Sequence, residues 1–140
     1  SANMITRFNL PDDIHSRPSN SITLVKELIA EGVNVSVGTD NIRDIFYPLG
    51  NCSILRELHV LASATRMTRM DDPVNLMEAA TIKPAEIMGL NYAVKPGCMG
   101  DLILLNSNKP SETLTKNDSI PQVFKAGEPA CTTNIETEFD

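Results

Sequence analysis

Histidine is scarce in this chain. His15 and His59 are the only two in 140 residues, and no His-x-His pair occurs. Cysteine is as thinly spread. Cys52, Cys98 and Cys131 form no CxxC pair, which argues against both a disulfide framework and a thiolate zinc site. Free thiols suit a reducing cytoplasm. Positive charge is also in short supply, with 12 Lys and Arg against 18 Asp and Glu and a formal charge of −6. A general nucleic-acid binder needs clustered Lys and Arg for phosphate contacts, so that class is disfavoured. No apolar run approaches the ~18 residues of a membrane span, and no basic stretch leads into an apolar one as a secretory signal would. Internal repeats and low-complexity segments are missing too. What is present is 41% hydrophobic and 21% charged, the make-up of an ordinary globular domain with enough chain to bury a core. The expectation is a soluble cytoplasmic protein with neither membrane nor nucleic acid as partner.

Residues 1–20 carry no periodic pattern beyond a short strand end in ANMITRF, followed by the polar, proline-bearing loop PDDIHSRPSN. From Ser21 to Glu31 the spacing of Ile22, Val25 and Ile29, with Leu24 and Leu28 beside them, predicts a helix closed by Gly32. VNVSV then alternates with period two. A second helix is predicted from about Cys52 to Met70, with Ile54, Leu58, Leu61 and Thr65 on one stripe. Asp72-Pro73 reads as an N-cap followed by proline, opening a third helix through Ala80. TIKPAEIMGL reads as a fourth, opened by Pro84 and closed by Gly89. Met67, Met70, Met77 and Met88 are expected in the core. Beyond these helices PGCMGDLILLN is a turn feeding an apolar run. PQVFKAGEPACTT reads as strand, turn at Ala126-Gly127, and strand. The tail TNIETEFD is acidic. A lone strand between helices needs parallel partners on both edges, so the chain reads as the end of something larger.

The alternation before Asp40 is the most informative feature. Val33, Val35 and Val37 face one side, while Asn34, Ser36, Gly38 and Asp40 face the other. A (β/α)8 barrel produces this pattern, with valines against the outer helices and polar residues lining the barrel toward its mouth, where catalytic groups sit. On pattern alone, an aspartate after a strand is more often a turn residue or the N-cap of the next helix. His59, mid-helix, and His15, in the first loop, read as packing or solvated residues, because neither has a second ligand at helical spacing. Arg43 either faces substrate or pairs with Asp44 or Glu57, the pairing being the favoured reading, and Tyr47-Pro48 reads as loop-shaping.

GTDNIRDIFYPLGN followed by LRELH resembles the eighth strand and following loop of the amidohydrolase superfamily, in particular its cytosine deaminase branch. SITLVKELIAEGVNVSVGTDN is similar to the helix leading into that strand, and ATIKPAEIMGL to the family's Thr-x-x-Pro-Ala helix. PGCMGDLILLN resembles the return strand and QVFKAGEPA the closing hairpin, so the likeness runs from about residue 3 to 130. The resemblance implies an α/β fold: the C-terminal fragment of a metal-dependent (β/α)8 barrel over residues 1–92, a small β-element over 93–132 and an acidic tail over 133–140. It implies that Asp40 is both metal ligand and catalytic proton carrier. It gives Asn41 and Phe46 substrate-binding roles, with Asn41 standing where relatives carry an acid, and it aligns Asn3 with an asparagine near the end of the seventh strand.

The family's remaining metal ligands, beginning with His-x-His, are not in this sequence. One carboxylate cannot hold a catalytic divalent ion, which takes about three protein ligands. The resemblance therefore implies the tail of an aminohydrolase whose full-length parent uses zinc or iron on a nucleobase-like ring, with the isolated chain inactive. A chlorohydrolase or cyclic-amide hydrolase parent is the alternative within the superfamily, with Asn41 as the discriminating residue. The alternative outside it is a non-catalytic module that self-associates. A homo-oligomer, or a complementing N-terminal barrel segment, is the expected partner, because strand edges and the apolar face of helix 52–70 would otherwise meet water.

Overall fold

The computed structural model describes residues 22–45, 48–116, 120–134, 136 and 138. Within them the chain forms four helices, a strand, a fifth helix and a closing hairpin. These are α1 (Val25–Ala30), α2 (Ile54–Thr65), α3 (Asp72–Ala79), α4 (Ile82–Met88), β1 (Leu102–Leu104), α5 (Pro110–Lys116), β2 (Gln122–Lys125) and β3 (Glu128–Thr132).

Helix α2 organises the core. Its buried face is Leu55, Leu58, Leu61 and Ala62, with Glu57 buried beside them; of the stripe read from the sequence Leu58 (0% exposed) and Leu61 are buried, while Ile54 and Thr65 are half-buried. Val25, Met67, Leu76 and Leu114 close around the stripe, with Ile29, Val35, Val37 and Met77 packed against that cluster. The apolar face of α2 is thus covered by the chain's own α3 and α5, contrary to the expectation that it would meet water.

Helix ends follow local chemistry. Ser53 Oγ accepts from Arg56 N at 3.3 Å and caps α2 at its start. The helix stops at Thr65 rather than reaching Met70, because Arg66 turns left-handed (φ 55°) and Met67 N donates to Ala62 O at 2.9 Å. This reversal buries Met67 beneath the helix it has just left. Met70 lies beyond the reversal and is 93% exposed, and Met88 is also exposed, so only Met67 and Met77 of the four methionines join the core. Asp72 opens α3 from inside it, its carboxylate accepting from Arg69 N at 2.8 Å, with Asp71 at the cap position. Helix α4 begins at Ile82, two residues before Pro84, and ends as expected at a left-handed Gly89. Gly32 closes α1 in the same way, with φ 77°.

The three strands form one antiparallel sheet in the order β1-β2-β3. Leu102 pairs with Phe124 and Leu104 with Gln122; an irregularity between Val123 and Phe124 shifts the β2–β3 register. Ala126 (φ 52°) and Gly127 (φ 82°) make the expected turn, both residues positive as a tight hairpin requires. Pro129 occupies an edge strand, where its missing N–H is tolerated.

Two further features depart from the sequence reading. Helix α5, unforeseen, packs on α2 and α3. The segment 33–40 is extended but joins no sheet among the described residues.

Candidate functional site

The segment 33–40 keeps part of the alternation seen in the sequence, although Val33 is 47% exposed. Val35 and Val37 pack on the core, while Asn34, Ser36, Gly38 and Asp40 are exposed. Three bonds hold it in place: Val33 N donates to Leu28 O at 2.9 Å, Val37 N donates to Ala79 O at 2.8 Å, and Asn34 Nδ2 donates to Glu86 Oε2 at 3.1 Å. The carboxyl ends of α3 and α4 thereby hold the segment whose last residue is Asp40.

Asp40 adopts a left-handed backbone (φ 56°), which aspartate tolerates better than most residues. Its carboxylate is exposed and makes no hydrogen bond or ion pair among the described residues. The next residue differs. Asn41 is half-buried, and its Nδ2 donates to Asp44 Oδ2 at 2.6 Å. Arg43, between them, is left-handed (φ 47°) and exposed. Ile42, Ile45 and Leu49 project apolar side chains outward, Ile45 with 90% exposure. Phe46 and Tyr47 lie outside the described residues, as do Asn3 and His15.

The residues present fail to make a metal site by themselves. A catalytic zinc needs about three protein ligands. Among the described residues no three His, Cys, Asp or Glu side chains come together. His59 is committed elsewhere: its Nδ1 lies 2.8 Å from Leu114 O, and because a carbonyl only accepts, that nitrogen carries the hydrogen. The bond ties α2 to α5, in keeping with the packing role read from the sequence. The three cysteines are free thiols, and Cys98 Sγ donates to Asn91 Oδ1 at 3.3 Å.

A second polar cluster joins the loop after α4 to the hairpin. Asp101 Oδ2 accepts from Tyr92 Oη at 2.7 Å and from Lys125 Nζ, and its Oδ1 accepts from Ala126 N at 2.8 Å. The Lys125 bond foremost, then those from Tyr92 and Ala126, hold the Asp101 carboxyl at about 2. The same bonds push Lys125 and Tyr92 above their ordinary values. Sequence reading placed Asp101 in a turn and missed these partners, since Lys125 is remote along the chain. It also missed Asp44 as Asn41's partner, although the Asn-x-x-Asp spacing was visible.

Against known proteins, the Amidohydrolase family profile matches residues 2–130, close to the span read from the motifs. The pterin deaminase of Rhizobium rhizogenes is 33% identical over 109 residues, 76% of this chain and 24% of that protein. The 5'-deoxyadenosine deaminase of Methanothermobacter thermautotrophicus is 29% identical over 114 residues, 77% of this chain and 26% of that protein. Among solved structures, 5-methylcytosine deaminase from Klebsiella pneumoniae, liganded with phosphonocytosine, superposes with a TM-score of 0.77 at 25% identity. That match covers 92% of this chain and 32% of the enzyme. The chain thus spans about a quarter of the length of the curated relatives it matches. On this evidence it belongs to the amidohydrolase family.

Proposed function

We propose that the chain is the C-terminal part of a (β/α)8-barrel aminohydrolase that releases an exocyclic amine from a nucleobase-like ring. The observation that supports this most is the likeness to 5-methylcytosine deaminase over nearly the whole chain, in a family whose relatives here are deaminases. Asp40 sits at the end of the 33–40 segment with a carboxylate uncommitted among the described residues, the condition a proton carrier needs. In this role it takes a proton from the attacking water and returns it to the departing amine. Asn41 and Phe46 contact the ring, Phe46 by stacking. Zinc or iron chemistry in such an enzyme requires ligands from beyond the described residues, with Asp40 supplying one carboxylate. A homo-oligomer or a complementing barrel segment covering the extended segment belongs to the same proposal.

The test is ammonia release from a panel of aminated pyrimidines, purines and pterins, using the chain in its native reading frame. Asp40→Asn is expected to lower kcat by about 10²–10⁴-fold while leaving the melting temperature unchanged. Full activity in that variant, or no amine release from any ring, would overturn the proposal.

A further inference from the structure

We draw no further inference here: the strongest candidate, the exposed apolar surface of Ile42, Ile45 and Leu49 in the loop after Asp40, carries nothing, because nothing in the structure shows what covers it.

Discussion

At Gly100 the backbone has φ 69°, and an added Cβ would stand 2.8 Å from Gly127 N, the group that donates to Gly100 O. Two objections to a side chain coincide there: the left-handed conformation and a collision with backbone that cannot swing aside. Gly127 is also left-handed (φ 82°), but a Cβ there would meet nothing within 4 Å. Gly100→Ala is therefore expected to destabilise by roughly 2–3 kcal/mol and Gly127→Ala by about 1, read from urea midpoints. Asp101, next in sequence, sets a pH window. Its folded carboxyl titrates at about 2 against an ordinary 3.8, so its contribution is complete above 3.8 and is lost as pH falls through about 2. Tyr92 and Lys125 are both raised, so their contributions are complete below 10.0 and 10.5 and fade as pH climbs past their raised values. Thermal melting against pH should show the acid shoulder in the wild type, and Asp101→Asn should flatten it. An unaltered shoulder in that variant would assign the acid loss to other carboxylates.

Elements were legible where their signal was local. The Gly89 stop of α4 and the Ala126-Gly127 turn each follow from residues within one turn of chain, and the structure reproduces them, as it does Leu58 and Leu61 of the α2 stripe. The true end of α2 was hidden because Arg66 carries none of the signals of a left-handed cap; the burial of Met67 decides it. Helix α5 was hidden for a related reason. PSETLTK contains a single large apolar residue, Leu114, and becomes a helix on the surface that α2 and α3 provide. The alternation of 33–37 predicted the packed positions Val35 and Val37, but neither the exposure of Val33 (47%) nor the segment's lack of a paired strand among the described residues, since a strand's neighbours are set by distant sequence. Of the candidate site, the position of Asp40 could be read in advance, whereas the orientation of Asn41 could not, because it depends on a side-chain bond three residues away. Arg66 offers a test at this scale. Arg66→Gly removes the Cβ penalty of a left-handed residue and should raise stability by a few tenths to about 1 kcal/mol. A lower urea midpoint would mean that the arginine side chain contributes a contact outweighing its backbone strain.

Across the molecule, Ile42, Ile45 and Leu49 beside the Asp40 segment and Ile103 and Leu104 on the edge strand β1 leave apolar surface exposed. Among the described residues the segment 33–40 also pairs with no strand. Hydrogen exchange should report it directly: the amides of Asn34 and Ser36 are expected to exchange far faster than those in the middle of α2, with Val37 slowed by its bond to Ala79. Uniform protection across 33–37 would show that another strand covers the edge in solution. Helix α5 carries a different consequence. It lies between β1 and β2 in sequence but packs on α2 and α3, lending Leu114 to the helical core and its carbonyl to His59. The chain therefore leaves the sheet, stitches into the helices and returns. A cut after residue 92 would strip a wall from the helical core along with the sheet, so within this chain the helices and the hairpin are not separable modules.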